Sequence, residues 1–128
     1  IEVVQLLYTY SVPVMADSIQ LEQVLLNLLS NAMDALADEP SMKRHIIVHT
    51  RREGGKAILE VRDTGRGITP EILEVLFHPF FSTKEHGMGL GLSICRQIAE
   101  AMGAQVTLFN RMDAGQVIGV DAVVAWEE

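Results

Sequence analysis

Leu21-Glu-Gln-Val-Leu-Leu-Asn-Leu-Leu-Ser-Asn-Ala32 carries two interleaved patterns, and a helix accommodates both. Leu21, Val24, Leu25, Leu28, Leu29, Ala32 and, just beyond the run, Leu36 recur at three- and four-residue steps, which is the spacing of one buried helical face. Between them Gln20, Gln23, Asn27, Asn31, Asp34 and Asp38 form a second, polar line. The spacing predicts a helix from about 18 to 37, opened by a capping box of Asp17 and Gln20. A merely solvated face would draw Lys and Glu. Asn is a poor helix former, yet it occurs here twice in mid-helix, one turn apart. A neutral amide oxygen can ligate a hard cation such as magnesium, which prefers oxygen donors and shares its shell with substrate phosphates. Asn31 is the metal-ligand candidate.

Outward from this helix, a strand is expected near residues 1 to 9 and a hairpin with strands near 45 to 52 and 57 to 63, around Glu53-Gly-Gly-Lys56. Thr69-Pro70 starts a short helix by N-cap and first-turn preference, and a further helix runs from about 90 to 102, closed by Gly103. Two closing strands flank a turn spanning Asn110 to Gly115. With no long βαβ alternation, the fold class is α+β.

Asp63 closes the alternating strand Ala57-Ile-Leu-Glu-Val-Arg62, in which Ala57, Leu59 and Val61 point one way. Its carboxylate therefore emerges beside the loop Asp63-Thr-Gly-Arg-Gly67. An ionised Asp is acceptor-only and suits the exocyclic amine of adenine, whereas guanine offers a carbonyl there. Gly65 and Gly67 would let the main chain approach a base without a Cβ in the way. Taken alone, this string is an ordinary turn.

Gly87-Met88-Gly89-Leu90-Gly91-Leu92 leads directly into a helix. It fits neither the dinucleotide fingerprint nor the Walker pattern. A glycine-rich turn nevertheless aims main-chain N–H groups at phosphate oxygens, and the following helix adds the positive end of its dipole. Thr83 and Lys84, just upstream, offer a hydroxyl and a mobile charge.

A chain of 128 residues, 48% of them apolar, suits one domain with a real core. The net charge of −7 argues against nucleic acid as a partner, since that normally rests on clustered Lys and Arg. A lone Cys95 excludes an internal disulfide framework, and neither a signal-peptide pattern nor a membrane-spanning apolar run is found, so a reducing cytosol is expected. Without an initiator Met, and closing on Trp126-Glu-Glu, the sequence reads as residues 1–128 of a longer protein.

Asn27 and Asn31, Asp63 to Gly67, Phe77-His-Pro-Phe-Phe-Ser-Thr-Lys84, and Gly87 to Leu92, in that order, resemble the N, G1, F and G2 boxes of the catalytic, ATP-binding domain of bacterial sensor histidine kinases. Those boxes belong to the superfamily that also holds gyrase, Hsp90 and MutL. The resemblance implies the Bergerat fold, a two-layer α/β sandwich with a mixed sheet and helices packed on one face, and ATP and magnesium as ligands. It implies Asn27, Asn31 and Lys84 as catalytic residues, with Asn31 on the metal. Nucleotide contacts are implied for Asn31, Asp34, Asp63, Gly65, Gly67, Ile68, Thr83, Lys84 and Gly87 to Leu92. A short lid would lie roughly between Phe77 and Gly91.

Hydrolytic members of the superfamily resemble one another in carrying Glu one turn before the magnesium Asn; here that position is Asn27, which cannot act as a base. Phosphoryl transfer to a protein His is therefore expected, with a hydrolytic ATPase or a degenerate nucleotide-binding module as alternatives. The acceptor should be a His followed by an acidic residue. His45, His49, His78 and His86 are followed by Ile, Thr, Pro and Gly, so the acceptor belongs to a dimerisation domain outside this chain. The resemblance further implies a homodimeric parent protein, a response regulator receiver domain as partner, and a cytoplasmic domain whose parent is in many such cases anchored in the bacterial inner membrane.

Phe77, Phe80 and Phe81 are read as satellite core or as the contact that docks on the dimerisation helices. Cys95 and Met102 are read as core, and Trp126 as strand packing. Two departures from the family pattern, Ala104 where a second Gly is usual and Asp121 where an apolar residue is common, put the packing of the closing strands in doubt.

Overall fold

The computed structural model describes residues 17–36, 45–75, 77 and 91–127, together with the main chain of 2–6. Asp38, His78, Phe80, Phe81, Thr83, Lys84, His86, Gly87, Met88, Gly89 and Leu90 lie outside the described residues. Five strands, β1 (Glu2–Leu6), β2 (His45–Glu53), β3 (Lys56–Asp63), β4 (Ala104–Asp113) and β5 (Gln116–Glu127), form one sheet in the order β1-β2-β3-β5-β4. β1 and β2 run parallel, which requires the crossover helix α1 (Ser18–Ala35), and every other pairing is antiparallel. Helices α2 (Pro70–Val75) and α3 (Gly91–Ala101) complete the described elements. This is the expected α+β sandwich with a mixed sheet.

Helix α1 begins where the sequence places it, because Asp17 Oδ1 accepts from the N–H groups of Ile19 (2.9 Å) and Gln20 (3.1 Å) and so satisfies two otherwise orphaned donors. Its apolar stripe is buried as read: Val24, Leu28, Ala32 and Leu36 are in the core, with Leu21, Leu25 and Leu29 packed against it. Opposite them lie Ile46, Ala57, Val61, Ala122, Val124 and Trp126 of the sheet, and Cys95 and Ala99 of α3. The helices therefore cover one face. Thr69 accepts from Ile72 N–H at the start of α2, and Gly103 takes a positive φ of 77° just past α3.

Three expectations are corrected. The closing turn is Ala114–Gly115, not the whole span from Asn110, because β4 stays paired with β5 through Asp113. Ala104 is not a packing defect but a buried member of the core. Asp121, 3% exposed, does not loosen β5 either. It sits on the sheet face away from the helices, where Arg111 donates to its Oδ1 and Arg62 lies 3.4 Å from its Oδ2. On the same face Glu60, 1% exposed, accepts from Arg62 (2.5 Å) and from Arg51. Two carboxylates and three guanidinium groups thus run across β2, β3, β5 and β4, where an apolar second layer would otherwise be needed.

Candidate functional site

The polar line of α1 divides by exposure. Asn27 and Asn31 are half-buried, while Gln20, Gln23 and Asp34 are exposed. The same helix touches the loop after β3, because a Cβ added to Gly65 would stand 2.7 Å from the Ala35 carbonyl oxygen. Ala35 is about one turn beyond Asn31, so the end of α1 that carries Asn31 lies against the loop that follows Asp63. Gly65 thus has a packing reason of its own. Gly67 has another: its φ is 86°, and a Cβ there would meet Val117 Cγ1 at 2.3 Å.

Asp63 is the last residue of β3 and only 5% exposed. Its Oδ1 accepts from Gly65 N–H (2.9 Å) and Val120 N–H (3.1 Å). Burial pushes its carboxyl above the ordinary range, while those two N–H groups and the charge of Arg111 pull the other way. A carboxylate has about four acceptor positions, and the described bonds use two of them.

The loop that follows is tied down at both ends. Thr64 Oγ1 accepts from His45 N–H at 3.0 Å, joining the loop to the start of β2. Asn110 pairs with Ile68 through both ends of its amide: Oδ1 accepts from Ile68 N–H (2.8 Å) and Nδ2 donates to Ile68 O (2.7 Å). Arg111 Nη2 donates to the main-chain oxygen of Asp63 at 2.7 Å. Sequence reasoning missed Asn110 and Arg111. A signal was present for Asn110, since it is polar at the inward position that continues Val106 and Leu108.

Of the glycine loop, Gly91 and Leu92 are described: Gly91 is the first residue of α3, and Leu92 packs against the core. Helix α3 lies against α1 and β4. Phe77, half-buried, has the Arg96 guanidinium of α3 over its ring at 5.4 Å, which gives that ring a local partner within the domain. Cys95 is fully buried, Met102 packs against the core and Trp126 is 6% exposed within it, as read. Among the described residues no helix is long and apolar enough to cross a membrane.

Residues 16–123 match the family described as histidine kinase-, DNA gyrase B- and HSP90-like ATPase. The chain is 40% identical over 114 residues, 89% of its length, to the C4-dicarboxylate transport sensor protein DctS of Rhodobacter capsulatus, of which it covers 17%. It is 44% identical over 103 residues, 80% of its length, to the sensor protein FixL of Bradyrhizobium diazoefficiens, of which it covers 20%. The chain therefore spans about a fifth of the length of these relatives. Among solved structures, the nucleotide-free catalytic domain of the histidine kinase ThkA superposes with a TM-score of 0.81 at 31% identity, covering 98% of this chain and 78% of that one. A complex of ThkA with the response regulator protein TrrA matches with a TM-score of 0.74 at 30% identity, covering 97% of this chain and 33% of that one.

Proposed function

Since the chain belongs to the histidine kinase-, DNA gyrase B- and HSP90-like ATPases, we propose that residues 1–128 are the ATP-binding catalytic domain of a sensor histidine kinase, giving the γ-phosphate of ATP to a His on a separate dimerisation domain. The observation that carries this reading is Asp63, a buried carboxylate at a strand end with acceptor capacity left over among the described residues and its loop fixed on both sides. That acceptor fits the exocyclic amine of adenine, which donates. Orientation of the acceptor costs nothing at binding, because the chain's own N–H groups already hold Oδ1.

Asn31 is proposed as the protein ligand to magnesium, the residue being half-buried and its amide oxygen a hard donor suited to a partly hydrated ion. Bound there, the ion would supply charge neutralisation at the phosphoryl group being transferred. Thr83, Lys84 and Gly87 to Gly91 are proposed to hold the phosphates. Asn27, one turn from Asn31, has no basic form at neutral pH and so leaves water unactivated beside the γ-phosphate. The work of the protein is then positioning, which phosphoryl transfer chiefly needs. For the parent protein we propose a homodimer, with a response regulator receiver domain taking the phosphoryl group onward and the present domain on the cytoplasmic side.

Calorimetric titration of ATP with and without magnesium tests the site. Asn31→Ala should remove the magnesium dependence of ATP affinity with the fold intact, since the polar line of α1 is not core. A variant that titrates with the parent's magnesium dependence would exclude Asn31 as the ligand.

A further inference from the structure

The sheet holds the loop from Asp63 to Ile68 from both of its faces, and the two hands are adjacent residues. Alternation along β4 puts Asn110 on the helix-covered side, opposite Val120, and Arg111 on the other, opposite Gly119. Asn110 uses both ends of its amide on Ile68, as a sixth strand would, and so fixes the far end of the loop. Arg111 reaches the near end from behind: Nη2 takes the Asp63 carbonyl oxygen at 2.7 Å while Nη1 is anchored by the buried carboxylate of Asp121, itself within reach of Arg62. Room for this comes from Gly119, where a Cβ would fall 1.9 Å from the same carbonyl oxygen and 2.8 Å from Arg111 Nη2. The register shift between Arg111 and Met112 lies beside it, as bulges do where a side chain is re-aimed. A fork with two donors on two acceptors fixes an orientation that a single ammonium group cannot.

We infer that Asn110 and Arg111 are positioning residues for base selection: they clamp residues 63–68 at both ends and thereby set where the Asp63 carboxylate meets the 6-amino group of a purine. The inference rests on the reading of Asp63 proposed above. Neither residue touches the nucleotide; each acts through the loop, and Asp121 acts through Arg111.

The test compares ATP with purine riboside 5′-triphosphate, which lacks the 6-amino group, by calorimetry on the full chain. The unaltered chain should favour ATP by about tenfold or more, the worth of one hydrogen bond to a charged group. In Arg111→Lys the ATP affinity should fall while the amine-free nucleotide binds within about twofold of before, so that the preference shrinks at least threefold. Should Arg111→Lys fail to fold, with Asp121 left poorly paired, Asn110→Ala leaves the Arg111 pair in place and should shrink the preference in the same way. If both nucleotides weaken by one factor in the folded variants, or neither does, the clamp is support only and the inference falls. No preference in the unaltered chain would instead overturn Asp63 as the base reader, before either variant is considered.

Discussion

At Asp63 a single oxygen separates a base reader from a turn residue. Asp63→Asn keeps the shape but puts an amide where, on the proposed reading, the adenine amine donates, so ATP and ADP should weaken alike, by the ~1.5 to 3 kcal/mol of a hydrogen bond to a charged group. Unchanged ADP affinity by calorimetry would remove Asp63 from the site. Glu60 carries a different test. Burial alone would raise its carboxyl, but the hydrogen bonds from Arg62 and Arg51 hold it at about 2, against an ordinary 4.5. A carboxyl depressed on folding contributes stability that is complete above 4.5 and is lost as the pH falls towards 2. Asp121 is raised, by burial and by the neighbouring Glu60 carboxylate, so its contribution has the opposite sign, present at low pH and lost as the pH rises. Glu60→Gln should cost roughly 2 kcal/mol at neutral pH, the arginines being partly exposed, and should flatten the acid limb of a stability-against-pH curve. An unchanged acid limb would show that Glu60 ionisation is not what the network holds. Cys95 lies fully buried, its thiol pushed up to about 11 by that burial. It should resist a thiol reagent at pH 8 in the folded chain and react once urea unfolds it. Rapid labelling of the folded chain would place it outside the core.

Among the elements, α1 joins stability to site. Asp17→Ala should lower stability by about 1 kcal/mol, read from urea unfolding, because two N–H groups lose their acceptor. Gly65→Ala should cost more, about 1 to 3 kcal/mol, since the new methyl meets main chain at Ala35 rather than a side chain that can turn aside. It should weaken ATP as well by pushing the loop off α1. The elements were largely legible in the sequence because their signals are local: the leucine periodicity of α1, the capping Asp17, the Gly-Gly turn between β2 and β3, the glycine past α3. Asn110 misled for a local reason too. Asn favours turns on its own account, yet here its amide finds a better partner 42 positions back in the sequence, at Ile68, and the strand runs on through it. The pairing of Glu60 and Asp121 with Arg51, Arg62 and Arg111 depends on which residues become cross-strand neighbours, and strand order is not written in any one segment. Asp63 stands out in the sequence by its place at the end of an alternating run, whereas Asn110 and Arg111, which hold its loop, are distant in sequence and do not.

For the whole molecule the issue is what becomes of the γ-phosphate. A net charge of −7 means that the domain as a whole does not attract a polyanion, so the nucleotide must be held by local donors. If Asn27 stands, as proposed, at a site that must not activate water, the chain alone should bind ATP and release phosphate very slowly. It should not label itself either, since none of its four histidines is followed by an acidic residue. Asn27→Glu should give at most a modest gain in hydrolysis, because a base must also have a water in line with the phosphate. The most direct measurement follows the label from γ-labelled ATP with the chain alone and with the chain joined to the dimerisation helices proposed for its parent protein. The account predicts phosphohistidine on those helices, stable to alkali and labile to acid, and negligible free phosphate from the chain alone. Multiple-turnover phosphate release by the chain alone, with no label on the helices, would contradict it.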